Sequence, residues 1–250
     1  MEPTNLSPAD VSNSGERIGE WDRPELWKSH LDRYRFARRF AGPTSRVLDC
    51  VCGSGYGSHL LATRAGSVDG VDLADVAVSF ARARYPRPNL RFTTASAYTL
   101  PFPDGAFDLG CCFETIEHVP DPRALVAEAR RVIAPGGTWI VSTPNRLASG
   151  LGPGEKPSNP FHVFEWSLGE MDACLREAFP TIRYFVQRVR SRNKLRPLYV
   201  RSKLSRLVGI PDVVELGGAD VWAERLETAE AWMPEILIAV CGDQKGPVDS

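Results

Sequence analysis

Lysine is scarce in this chain: five residues, Lys28, Lys156, Lys194, Lys203 and Lys245, among 30 Lys+Arg. Arginine makes up the balance, and with 31 Asp+Glu the formal net charge is −1. The two signs offset each other, so no global field draws the chain to a polyanion or an anionic membrane surface. The arginine preference is read as a matter of composition and is assigned no function. Cysteine is also sparse. Its six residues include Cys50/Cys52 and Cys111/Cys112 but no C-x-x-C pair, which excludes zinc-site spacing and leaves reduced thiols as the expectation. No apolar run approaches the ~20 residues that cross a bilayer. Residues 1–16 carry Glu2, Asp10 and Glu16, with neither an apolar secretory core nor a basic leader. A soluble, cytoplasmic protein is expected, and no internal repeat or low-complexity domain interrupts it.

What is present is length enough for one sizeable core: 250 residues bury one α/β domain well and two poorly. Residues 1–16, rich in Pro, Ser and Asn, predict a mobile tail. Leu26, Trp27, His30, Leu31, Tyr34 and Phe40 recur at helical spacing and predict a helical cap over residues 17–42. From residue 43 to 242 short apolar runs alternate with helical patterns, the signature of a doubly wound parallel sheet. Strands are predicted at Arg46–Cys50, Val68–Asp72, Leu90–Thr94, Phe107–Phe113, Thr138–Thr143, Ile182–Arg188 and Ile236–Cys241. Helices are predicted at Ser58–Ala65, Ala74–Tyr85, Leu168–Ala178 and Pro122–Val132, the last opened by Asp121 as N-cap and Pro122 at its first position. Residues 190–233 form a peripheral insertion and 243–250 a tail. Nine basic and no acidic residues lie between Arg183 and Arg206, read as a solvated face in preference to a phosphate cradle. The segment Pro144–Pro160 exceeds an ordinary connection and is a candidate functional loop.

The first strand ends at Asp49 and runs into Gly53-Ser54-Gly55-Tyr56-Gly57, where glycine lets backbone turn tightly and approach a ligand. A second strand ends in Asp72, seventeen residues past Gly55, about where a carboxylate meets ribose hydroxyls in nucleotide-binding α/β folds. Nicotinamide oxidoreductases share that arrangement, and a glycine loop is sometimes only a tight turn. The surrounding residues separate these readings. Val47-Leu48-Asp49-Cys50-Val51-Cys52-Gly53-Ser54-Gly55-Tyr56-Gly57 resembles the first motif of class I methyltransferases that use S-adenosylmethionine (SAM). Gly70-Val71-Asp72, the run Leu100 to Asp108 and Ala134-Pro135-Gly136-Gly137 match further landmarks of that family. The likeness covers about Arg46 to Leu175. It implies a single Rossmann-like, seven-stranded α/β sheet with an antiparallel last strand and SAM over its C-terminal edge. It implies cofactor contacts from Asp49, Gly53, Gly55, Asp72, Leu73, Ser96, Ala97 and Phe113. Ser96 departs from the family pattern, where an acidic residue often holds the adenine.

For the chemistry, Glu114, Glu117 and His118 follow the fourth strand, and a helical segment there would put all three on one face. His162 follows the fifth strand, next to the fourth in such a sheet, so the two segments open onto the same edge. His118 and Glu114 are the catalytic candidates. Glu114, Glu117, His118 and His162 also resemble the metal-binding set of small-RNA 2′-O-methyltransferases and of enzymes that methylate diols and catechols, so Mg²⁺ or Mn²⁺ is a candidate cofactor. A metal-free His118 base and a purely structural role stay open beside it. His30 and Tyr34, in a His-x-x-x-Tyr pattern, resemble a lid helix of relatives or serve packing alone. The leading expectation is SAM-dependent methylation of a hydroxyl on a small molecule, a sugar or specialised metabolite with neighbouring hydroxyls. N-methylation of an amino-sugar or other amine, RNA 2′-O-methylation and a non-enzymatic SAM-binding role are the alternatives. The near-neutral chain and the absence of a stacking RNA module argue against nucleic acid.

Overall fold

The computed structural model of the chain describes residues 6–187, 213–216 and 235–242. Five parallel strands are laid down first: β1 (Arg46–Cys50), β2 (Ser67–Asp72), β3 (Leu90–Thr94), β4 (Phe107–Phe113) and β5 (Ile133–Pro144). The central strands β1 and β4 are buried on both faces, as strands sandwiched between helices must be, whereas the edge strand β3 alternates buried and exposed residues. β6 (Ile182–Gln187) and β8 (Ile236–Gly242) complete a seven-stranded sheet, β8 pairing antiparallel with both β5 and β6. A short strand, β7 (Val213–Leu216), adds an eighth at the β6 edge, giving the order β3-β2-β1-β4-β5-β8-β6-β7. Strand order reverses between β1 and β4, and ligands of open α/β sheets bind at that switch.

The helices obey local rules legible in the sequence. α5 (Pro122–Val132) begins on Asp121, whose carboxylate accepts the Ala124 amide at 3.1 Å, with Pro122 where no amide bond is needed. α6 (Leu168–Arg176) opens with a capping box in which Ser167 and Glu170 satisfy each other's backbone amides. α4 (Asp75–Arg84) turns Ala77, Val78, Phe80 and Ala81 to the core. α3 (Tyr56–Leu61) is shorter than its apolar pattern suggests, because residues 62–64 finish in turns after Leu61.

The helical cap is α2 (Pro24–Arg38). Its core-facing side includes an arginine. Arg33 is fully buried, donating to Ser29 Oγ at 3.0 Å and to Gln187 Oε1 at 2.7 Å, while Gln187 donates to the Ser29 carbonyl. Hydrogen bonds among three polar groups therefore join the cap to β6, while the buried Arg33 Nε has no hydrogen-bond partner. Ahead of it, residues assigned to a tail by composition contain a helix, α1 (Pro8–Asn13), with a Ser7–Asp10 capping box. Val11 is completely buried against Ala77 and Phe80, and Trp21 donates to Ser12 at 3.0 Å. Residues 14–22 then run across the end of the sheet. Trp21 stands edge-on to Phe80 and Arg84 pairs with Glu20. The basic run from 188 to 206 and most of the 190–233 insertion lie outside the described residues.

Candidate active site

At the switch point the ends of β1, β2, β4 and β5 surround a cavity of about 420 Å³, within the roughly 300–1,000 Å³ of small-molecule sites. Its floor is the loop after β1. Val51 there has φ 61°, a left-handed conformation unusual for a β-branched residue, and Gly53 follows at 54°. Hydrogen bonds hold the loop in that shape: the Cys52 amide donates to the Val71 carbonyl at 2.8 Å and the Gly53 amide to Asp72 Oδ2 at 3.0 Å. Gly55, at φ 85°, starts α3, and a Cβ there would lie 2.5 Å from that of Ala81. Two residues on, a Cβ at Gly57 would lie 2.0 Å from the Tyr34 ring, so glycine lets the cap close onto the loop.

Of the residues expected to hold the cofactor, Gly53, Asp72 and Phe113 line the cavity. Gly55 shapes it from behind. Leu73, Ser96 and Ala97 follow β2 and β3 at the same edge but do not line it, and Leu73 is 71% exposed. Asp49 differs from its expected role. It is wholly buried one layer below, where Tyr34 donates to one carboxylate oxygen at 3.1 Å and Ser58 to the other at 2.6 Å. Asp49 therefore fixes the loop and the cap. The Tyr34 ring closes the cavity wall together with Tyr56 and Phe113, and His30 lines it too, so the His30–Tyr34 turn of α2 is part of the site.

Burial lifts the Asp49 carboxyl to about 7, against the opposing hydrogen bonds from Ser58 and Tyr34. In an unfolded chain the same group ionises near pH 4. The folded state thus retains a proton that the unfolded state loses, so this contribution is complete below about pH 4, falls as pH rises to about 7, and then levels off. It amounts to on the order of 4 kcal/mol at most. Asp49→Asn is expected to flatten stability against pH over that window, as read from denaturant unfolding at several pH values. An unchanged slope would remove the account.

The chemical end lies beyond β4 and β5. Glu114 adopts φ 47° and residues 116–118 form a turn, so the helix that would align Glu114, Glu117 and His118 is not there. Glu114 still lines the cavity, but its Oε1 accepts Ser142 Oγ at 2.6 Å and faces the Arg33 guanidinium at 3.9 Å, apart from the histidines. Glu117 is completely buried. Its Oε2 accepts Thr143 Oγ1 at 3.0 Å, while Oε1 has no hydrogen-bond partner and lies 3.9 Å from His118 Nε2. Burial first, then the charge of Glu114, pushes the Glu117 carboxyl well above the usual carboxylate range.

His118 and His162 do converge, their rings 4.8 Å apart and edge-to-face. His118 Nδ1 is 2.9 Å from the Phe161 carbonyl, which can only accept, so Nδ1 carries the proton and Nε2 keeps its lone pair. His162 Nδ1 lies 3.0 Å from the Glu165 carboxylate, which fixes the same tautomer. The acidic group gathered with them is Glu16, not Glu114: the donor atoms of Glu16, His118 and His162 all lie within 4.8 Å of one another. The Asn159 amide donates to Glu16 at 2.9 Å and to His162 Nε2 at 2.9 Å. The next residue, Arg17, reaches the end of β2, where it meets Asp72 Oδ1 at 2.7 Å. Sequence reasoning missed Glu16, Arg17 and Asn159. The first two stand in a segment without periodicity, and only Asn159's place in an overlong loop beside His162 hinted at the third.

Comparison with known proteins identifies the family. Residues 48–141 match the family described as a methyltransferase domain. The chain is 38% identical over 181 residues to a probable S-adenosylmethionine-dependent methyltransferase of Mycolicibacterium smegmatis, covering 71% of this chain and 68% of that protein. It is 34% identical over 135 residues to the ubiquinone biosynthesis O-methyltransferase of Pseudomonas aeruginosa, covering 50% of this chain and 58% of that one. Among solved structures the [4+2]-cyclase SpnF superposes with a TM-score of 0.62 over 95% of this chain and 93% of that one, at 20% identity, a likeness of fold alone. The chain belongs to the S-adenosylmethionine-dependent methyltransferases.

Proposed function

We propose that the enzyme methylates a hydroxyl of a small molecule, a sugar or specialised metabolite with neighbouring hydroxyls. The observation that carries this is the bared Nε2 lone pair of His118 at the cavity wall, its tautomer set by the Phe161 carbonyl. SAM needs no activation beyond its sulfonium charge, so the protein's task is alignment and removal of one proton. In this reading Asp72 holds the ribose, the loop at Gly53 takes the methionine portion, and the acceptor lies beside His118. The acceptor oxygen attacks the methyl carbon, the carbon–sulfur pair leaves to sulfur, and S-adenosylhomocysteine forms. The acceptor's proton passes to His118 Nε2, the ring nitrogen left free when Nδ1 donates to the Phe161 carbonyl. The similarity to an O-methyltransferase of ubiquinone biosynthesis supports an oxygen acceptor.

The test is transfer of a labelled methyl group from SAM to sugars, catechols, phenols, amines and RNA ends, with products resolved by mass spectrometry. Methyl ethers on diol-bearing small molecules are expected. Label on amines alone would move the reading to N-methylation. Label on RNA alone would replace the small-molecule acceptor.

A further inference from the structure

We propose that Glu16, His118 and His162 bind a divalent first-row transition ion of the Zn²⁺ or Fe²⁺ type, with the free oxygen of Glu117 in reach as a further donor. This deepens the methyl-transfer reading and rests on it. The site also differs from the one the sequence suggested, since Glu114 has no part in it.

Four observations combine. The Glu16 carboxylate is 3.8 Å from His118 Nε2 and 3.8 Å from His162 Nε2. Bonds near 2.1 Å give a tetrahedral site edges of about 3.4 Å, so a small contraction around an ion closes the set. Each imidazole is already prepared as a ligand: Nδ1 of His118 donates to a backbone carbonyl and Nδ1 of His162 to a buried carboxylate, the outer-shell contacts that ligating histidines make. Both Nε2 atoms therefore keep a lone pair, and they lie within 4.8 Å of each other and of the Glu16 carboxylate. Finally, Glu117 Oε1 is fully buried, has no hydrogen-bond partner, and points into the same cavity 3.9 Å from His118 Nε2. A buried carboxylate oxygen with nothing to accept from is costly on its own, and a cation would satisfy it. The Asn159 amide now engages Glu16 and His162 and would have to rotate aside.

Two imidazoles favour a borderline ion over Mg²⁺, which prefers oxygen ligands and octahedral geometry. Open positions on the ion would accept one or two acceptor hydroxyls and acidify one of them. His118 would then hold the ion, and the acidified hydroxyl would no longer depend on its lone pair to lose the proton. The six cysteines are all buried, so they do not compete for the ion in the folded chain.

The chelator-stripped full chain would be titrated with Zn²⁺ by calorimetry and with Co²⁺ by visible absorption, and each sample titrated with S-adenosylhomocysteine to confirm its fold. One ion per chain is expected, with Co²⁺ bands of low-symmetry nitrogen and oxygen ligation. His162→Ala and Glu16→Gln should each weaken binding by more than about 100-fold, and Glu165→Gln, acting through His162, by roughly 10–100-fold. His59→Ala, on α3, should leave it unchanged. Glu16 is partly exposed, so Glu16→Gln carries the test if His162→Ala misfolds. No ion bound, or binding undiminished in Glu16→Gln, overturns the site. S-adenosylhomocysteine binding that persists in that case leaves the methyltransferase reading standing, whereas its absence in the native chain counts against that reading separately.

Discussion

Asp72→Ala is expected to weaken S-adenosylhomocysteine binding by roughly 10²–10⁴-fold. A carboxylate accepting two ribose hydroxyls makes two hydrogen bonds to a charged group, each worth about 1.5–3 kcal/mol. Together they reach about 3–6 kcal/mol, and each 1.4 kcal/mol is tenfold in affinity. The substitution also acts before the ligand arrives. Asp72 accepts the Gly53 and Ala74 amides at 3.0 and 2.9 Å, so its loss frees the loop that should cradle the methionine portion. It further strips the Arg17 guanidinium, whose Nε is already buried without a partner, of its one ion-pair partner among the described residues. Calorimetric titration of a variant that still unfolds cooperatively is the measurement. A loss below tenfold would mean that the ribose is held elsewhere.

The central strands were legible because β1 and β4, buried on both faces, read as apolar runs, and the edge strand β3 because Leu90 and Phe92 alternate with polar residues. The boundaries of all three coincide with Arg46–Cys50, Leu90–Thr94 and Phe107–Phe113. The start of α5 was legible for a different reason: Asp121 and Pro122 act within one turn of themselves. What escaped depends on single contacts or on distant partners. α1 buries one valine and takes a hydrogen bond from Trp21 to Ser12, too little to produce a periodic pattern. Arg33 is buried on the strength of Gln187, 154 residues away. Glu114 failed to join the histidines because its spacing promises a shared face only if the backbone is helical, and its φ of 47° breaks that premise. Asp49 stands in the motif that marks the cofactor loop, yet it acts on Tyr34 and Ser58 beneath it.

The segment before the cap is where the site is most compact in sequence. Two consecutive side chains serve its two halves: Arg17 meets the end of β2 at Asp72, and Glu16 meets Asn159 in the loop after β5. Ser54 donates to the Ile18 carbonyl at 2.8 Å and ties the same segment to the glycine loop. If Asp72 holds the ribose as proposed, cofactor hydroxyls and Arg17 would compete for one carboxylate, and bound cofactor would displace or share that contact. Glu16 is one peptide bond away. Polar residues that look like solvated tail in a composition therefore line the cavity.

His118→Gln is the variant on which the chemical reading turns. Glutamine fills much of the same space and can still donate toward the Phe161 carbonyl, but its amide takes up no proton at neutral pH. Loss of a positioned base costs about 10²–10⁴ in rate, or roughly 3–5 kcal/mol of barrier at 1.36 kcal/mol per tenfold. The fall should appear in kcat, since proton removal accompanies transfer, while S-adenosylhomocysteine affinity changes less than about twofold. An ion at the histidine pair predicts the same fall by another route, because the variant then loses a ligand. Ion titration of the variant tells the two apart. Full turnover in His118→Gln would mean that the acceptor sheds its proton to water and that alignment by the cavity alone accounts for catalysis.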